Sequence, residues 1–236
     1  DSRVSRGLGD VYKRQSVLAA LTNKQSNDDG SLTEEEVKWL ERRAQDGFGI
    51  ITTAAAFVHL NGKSWNGELG VHSDEMLPGL TDLASRINSH GAISLVQIFH
   101  GGMRAPTEIT GRTPISSSRN RTKQSSTNFS RAMPETQIRE AIQWYVDAAI
   151  RCHKAGFDGV EIHGAHGYLI TQFLGKKTNR RLDEWGGTLR NRSRFLIEIV
   201  RRIREATPRD FVVAVRISPE YPVSYTHLTL PTTPVV

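Results

Sequence analysis

GFDGVEIHGAHGYLITQFLGKKTNRRLDEWGGTLRNRSRF, running from Gly156 to Phe195, is the stretch whose reading decides the fold. Phe157, Val160 and Ile162 lie among small residues just after Gly156, the pattern of a short buried strand that follows a helix-ending glycine. That pattern stops at His163-Gly164-Ala165-His166-Gly167-Tyr168. Two imidazoles and a phenol share this glycine-rich turn, where backbone can approach a ligand closely. Beyond Asp183-Glu184-Trp185-Gly186-Gly187, the residues Phe195, Leu196, Ile199, Val200 and Ile203 recur at helical spacing. The order is strand, polar turn, helix. Its polar groups fall at the C-terminal end of the strand, where α/β barrels and open α/β sheets carry their sites.

The same alternation extends outward. Ser16 to Leu21 reads as a first strand, and Thr33 with Glu36 as a capping box that starts a helix burying Val37, Leu40 and Ala44. Gly47 and Gly49 close it. Ile50 to Ala54 reads as a second strand, followed by a long loop through Gly70. Pro78 opens a helix with Leu80, Leu83 and Ile87 on one stripe, and Ile93 to Phe99 is the third strand, stopping at His100. Positions 103–133 form a polar loop too long for a connector, and we read it as a lid or substrate loop. Within it, Arg112 to Arg131 reads as solvated. Pro134 opens the longest helix, with Ile138, Ile142, Tyr145 and Ala149 inward and Trp144 at the surface. Phe211 to Ile217 is the fifth strand. Strands alternating with helices predict a parallel sheet with right-handed crossovers. Continuous apolar strands fit burial on both faces. Alternation leaves a TIM barrel and a doubly wound sheet equally open.

The two ends read differently from the rest. Asp10 to Gln15 (DVYKRQ) and Val223 to Leu228 (VSYTHL) are translations of one short DNA element read on opposite strands. Residues 1–15 and 223–236 are therefore expected to be translated sequencing adaptor, which has no part in the fold. The intervening 16–222 is expected to be an internal piece of a gene. Without the first fifteen residues the formal net charge falls from +6 to +4, which removes much of the case for a nucleic-acid partner. Cys152 is the only cysteine, which excludes an internal disulfide framework, and it reads as a small buried hydrophobe. No apolar run reaches the roughly 18 residues a membrane span needs. A cytoplasmic protein acting on a small molecule, with no membrane partner, is the default expectation.

The HGAHGY core, Thr178-Asn179-Arg180-Arg181, the DEWGG turn and Asn191-Arg192-Ser193-Arg194-Phe195 together resemble the old yellow enzyme family, the FMN-dependent ene-reductases also called NADH:flavin oxidoreductases. The resemblance implies an α/β TIM (β/α)8 barrel, here truncated after the fifth strand, and an incomplete, inactive fragment of an NAD(P)H:flavin oxidoreductase. Carried over position by position, it implies FMN as cofactor and NADH or NADPH as reductant. Thr22 and Gln97 match the polar edge of the flavin ring, Ala54 a small residue beside it, and Arg216 a cation that would stabilise charge on the reduced ring. His163 and His166 match the pair that hydrogen-bonds the activating oxygen of an alkene substrate, and Tyr168 matches the proton donor.

Taken alone, these residues have blander readings. Thr22 and Gln97 are ordinary strand-end hydrogen-bonders, Arg216 serves equally in an ion pair, and the DEWGG and NRSRF residues are structural in either case. His100 has no assigned role; His59, His72, His90 and His153 read as surface or loop. Two other functions fit the same turn: a metal-dependent TIM-barrel hydrolase with His163 and His166 as ligands, and a non-catalytic flavin-binding protein.

Overall fold

The computed structural model describes residues 16–218. The segments expected to be adaptor-derived, 1–15 and 223–236, lie outside the described residues, as do 219–222. Five parallel strands form the body of the sheet, in the order β1 (Val17–Leu18), β2 (Ile50–Phe57), β4 (Ile93–Phe99), β7 (Gly159–Gly164) and β8 (Val212–Ile217). A short β3 (Leu69–Gly70) pairs with β2 beyond this path. Parallel neighbours need crossovers. These are supplied by α1 (Glu34–Gln45), α2 (Leu77–Ser89), α4 (Glu135–Lys154) and α6 (Leu189–Ala206), while α3 (Thr107–Thr110) and α5 (Leu169–Leu174) are short pieces at the C-terminal ends of strands. The sheet curls into part of a TIM barrel.

The core lies between the sheet's outer face and the helices. Val96, Ile98, Val160 and Ile162 point outward onto Leu83, Ile87, Ile142, Tyr145, Phe195 and Ile199, all buried. The helical stripes expected from spacing are the buried ones. Cys152 is fully buried, and burial pushes its thiol up to about 12.

Several local expectations need correction. The first strand is cut to Val17–Leu18, and the second runs on to Phe57, because Ala54, Ala55 and Ala56 add strand without adding an apolar signal. Only half of the capping box forms. Thr33 Oγ1 accepts from the Glu36 amide at 3.2 Å, but the Glu36 carboxylate turns inward to Ser26 and Asn23. There burial raises its pKa.

The loop 103–133 is a wall rather than a solvated strap. It carries α3 and the pair β5 (Ile115–Ser116) and β6 (Arg131–Ala132), and Ser116, Ser117, Asn120, Ser125 and Ser130 are buried. Ser117 Oγ donates to the Gln172 and Thr178 carbonyls at 2.7 and 3.0 Å, and Arg181 reaches back to the Ser117 and Met133 carbonyls at 2.9 and 2.6 Å. The Asn179 side chain likewise ties the Phe173 and Trp185 carbonyls together. Trp144 is half-buried, not superficial, and stacks on His59 with ring centroids 4.0 Å apart. His59 and His72 are therefore packed histidines whose pKa burial lowers. Among the described residues no helix is long and apolar enough to cross a membrane.

Candidate active site at the C-terminal mouth

Side chains alternate across a strand, so in-register positions of the same parity build layers on the concave face. Ala55, Gln97, Glu161 and Ala214 are register partners across four strands and form one layer. Two residues further on, Phe57 pairs with Phe99, and His163 with Arg216, forming the layer nearer the mouth. His163 is thus set between an aromatic ring and a guanidinium by strand register alone. Its ring centroid is 5.7 Å from that of Phe99.

β7 ends at Gly164, and the chain then turns sharply. His166 takes a left-handed conformation with φ of 58°, followed by Gly167 at 78°. A non-glycine residue there carries strain of about 1 kcal/mol or more, which persists only where its surroundings hold it. Gln172, fully buried, does much of the holding. Its Nε2 donates to the Gly167 carbonyl at 2.8 Å and to the Gly101 carbonyl at 3.3 Å, while its Oε1 accepts from the Met103 amide at 3.0 Å. The Leu169 amide donates to the His100 carbonyl at 3.1 Å, a second tie between the same two segments.

The turn gathers the three groups singled out in the sequence. The His163 and His166 rings stand 5.0 Å apart, and His163 and Tyr168 5.2 Å. Tyr168 meets Phe99 edge-on at 4.5 Å, and Trp65 extends this apolar wall from the other side of Phe99 at 5.5 Å. His163 is only 4 % exposed, yet its Nδ1 is buried with no hydrogen-bond partner among the described residues. Burial, then His166, Arg216 and Arg104, pushes its pKa down to about 3. Burial and the same two arginines lower His166 as well. Both rings are neutral at ordinary pH, and each can offer an N–H to an oxygen without contributing charge.

The other sequence-identified residues divide. Gln97 is buried in the lower layer and donates to the Glu161 carboxylate. The Arg216 guanidinium crosses the lumen to the Ala20 carbonyl at 3.3 Å, so the ends of β8 and β1 face one another there. Ala54 is buried in the stretch where the β2–β4 register shifts, and its neighbour Ala55 is the residue paired with Gln97. Thr22 is exposed and lies past the end of β1. As a donor set, an amide and a guanidinium on one side of the lumen fit the carbonyl-rich edge of a flavin ring, with small residues on β2 leaving room for its plane.

Sequence reasoning missed four contributors. Glu161 was legible from parity, since it alternates with outward-facing Val160 and Ile162. Gln172 and Arg104 act through contacts some sixty to seventy positions away in sequence, which no local pattern carries. His100, left without a role, is buried with Nδ1 accepting from the Gly102 amide at 3.0 Å. Its Nε2–H donates to Asn61 Oδ1 at 2.7 Å, which braces the loop after β2 against the loop after β4. Among the described residues no three of His, Cys, Asp and Glu stand close enough to hold a metal ion.

Residues 11–230 match the family model described as NADH:flavin oxidoreductase / NADH oxidase. The chain is 38 % identical over 213 residues to an NADPH dehydrogenase of Halalkalibacterium halodurans, covering 89 % of this chain and 60 % of that protein. It is 37 % identical over 210 residues to an NADH oxidase of Thermoanaerobacter brockii, covering 88 % and 32 %. Among solved structures, the old yellow enzyme homologue from Zymomonas mobilis superposes with a TM-score of 0.80 at 30 % identity, over 86 % of this chain and 59 % of that one. The chain thus spans less than two thirds of the length of these relatives. With the partial barrel, the layered mouth and the HGAHGY turn, these similarities lead to one assignment: the chain belongs to the NADH:flavin oxidoreductase family, that of the old yellow enzymes.

Proposed function

We propose that the protein carrying this chain is an ene-reductase, drawing electrons from NADH or NADPH and reducing the double bond of a small alkene conjugated to a carbonyl or nitro group. When bound, FMN supplies the hydride that reaches the β-carbon of the alkene. Gln97 and Arg216 would hold the polar edge of the ring, with Thr22 and Ala54 the further family-matched contacts.

The observation that carries this reading is the grouping of His163, His166 and Tyr168 on one braced turn above the Phe99 ring. As the β-carbon gains hydride, negative charge develops on the activating oxygen. Two neutral imidazoles aimed at that oxygen stabilise the charge where it appears; a single such donor is worth about 3 kcal/mol. Preorganisation matters as much as the donors, and the Gln172 bridge and the Leu169–His100 bond keep the turn from relaxing. Tyr168 Oη then delivers a proton to the α-carbon, and solvent returns one to the phenol. Phe99 and Trp65 give that face an apolar wall.

Anaerobic titration of the flavin-loaded protein tests this directly. NADH or NADPH should bleach the visible flavin absorption, and 2-cyclohexenone should restore it with formation of cyclohexanone. A flavin that stays oxidised in excess reductant marks a binding protein. A flavin that bleaches but ignores every activated alkene marks an oxidase.

A further inference from the structure

Arg104 is neither among the residues matched to the flavin nor part of the His163–Tyr168 turn, yet it stands over that turn. It ends the short 3-10 turn Gly102–Arg104 that follows β4, and its Nη1 donates to the His166 carbonyl at 2.5 Å. Its guanidinium carbon sits 4.7 Å from the centroid of the Tyr168 ring. The residue is exposed, and among the described residues no carboxylate pairs with it. An arginine fixed by a backbone carbonyl and a ring face, but lacking a counter-ion, keeps donors in its fork to offer.

We propose that Arg104 is a specificity-determining residue that pairs with a carboxylate on the substrate, so that the site favours alkenoates over their uncharged isosteres. This rests on the reading of the His163–Tyr168 turn as the alkene site. The case is one of charge balance. The two imidazoles are neutral, so they can orient an oxygen but cannot neutralise an anion. Arg216 shares the upper layer with His163, but its guanidinium is turned across the lumen to the Ala20 carbonyl. Arg104 is the cation that faces Tyr168 and His166 from the mouth. Planar guanidinium matches planar carboxylate, and such pairs are stronger than neutral hydrogen bonds. Hydride addition to an alkenoate also puts further charge on oxygens that are already negative, which raises the need for a cation in the transition state. The brace is stiff as well as charged. Arg104 follows Met103, whose amide is held by Gln172, and Gln172 also holds Gly167. The cation and the turn are therefore tied to one another both through Gln172 and through the His166 carbonyl.

Equilibrium dialysis of trans-2-butenoate and trans-2-butenamide against the flavin-loaded full-length protein separates this from a structural role, with steady-state reduction of both measured alongside. Wild type should bind butenoate more tightly than butenamide, by a margin that shrinks as salt rises. Arg104→Gln should weaken butenoate binding by roughly tenfold to a hundredfold, the scale of a lost charge-assisted pair. Butenamide, which feels only the loss of the His166 tie, should fall by a clearly smaller factor than butenoate in both binding and reduction. Arg104→Lys, which keeps the charge and loses the fork, should fall between. Equal losses for both ligands in Arg104→Gln, no loss for either, or a wild type that fails to prefer butenoate each overturn the proposal. If wild type binds butenoate through Arg104 yet reduces neither compound, the carboxylate site stands and the ene-reductase reading fails.

Discussion

The His163 and His166 imidazoles meet edge to face, with centroids 5.0 Å apart and planes crossed at 80°. Two rings this close oppose each other's protonation, and burial and two arginines act in the same direction. Binding of a neutral phenol should therefore show any histidine step displaced below the ordinary imidazole value of about 6.5. A ligand-affinity break near pH 6.5 would mean that one ring is charged in the free protein.

Stability should carry the same signature. His163 and His100 each have a folded pKa of about 3 against an ordinary value of 6.5. Between those values the unfolded chain binds more protons, so stability rises with pH up to about 6.5 and then levels. Their contribution is complete above 6.5 and is lost as pH falls toward 3. Urea midpoints at pH 7.5 and 4.5 should differ more for wild type than for His163→Gln; an equal drop in both would remove His163 from the account.

Tyr168→Phe keeps the ring that packs on Phe99 and removes the hydroxyl. Reduction of bound flavin by NAD(P)H should be nearly unchanged, while alkene reduction slows roughly a hundredfold, the scale of a lost general acid. Undiminished enone turnover would release Tyr168 from that role.

His163→Ala or His166→Ala should weaken phenol binding and lower enone turnover, because the oxygen loses a donor. The metal content of the purified protein should be negligible before and after. Stoichiometric zinc in wild type that disappears in both variants would instead favour the hydrolase reading of the same pair.

Gln172→Leu is close in size but takes their Gln172 bonds from the Gly167 carbonyl and the Met103 amide, while the Gly101 carbonyl keeps the Arg104 amide at 3.1 Å. At about 1–3 kcal/mol for an unsatisfied buried group, it should lower the denaturation midpoint clearly. It should also reduce kcat more than it raises KM, because the turn loses its brace. A midpoint and rate like those of wild type would show that Leu169–His100 holds the turn alone.

How much is legible in the sequence depends on the range of the interaction. Ile93 to Phe99 is legible because a mostly apolar run between Gly91 and His100 has few alternatives as a buried strand. The His163–Tyr168 turn is legible because its three functional groups are close in sequence as well as in space. Ser117 and Asn120 look solvated because their composition is that of a loop; their partners lie near Thr178, about sixty positions away. Glu36 looks like a cap because local spacing cannot show that Ser26 and Asn23 fold back to receive its carboxylate. Arg104 escapes notice for the same reason. Its meaning lies wholly in what stands opposite it.

The backbone at His166 also restricts which residues can occupy the position. At φ of 58° few side chains are tolerated, chiefly Gly, Asn, Asp and His. Only Asn and His in that set carry an N–H in the side chain at neutral pH. Sequence drift at this position is thus screened twice, first by torsion and then by hydrogen-bonding chemistry, and the two screens overlap on a pair of residues. A histidine that looks replaceable on chemical grounds is held in place by the shape of the chain beneath it.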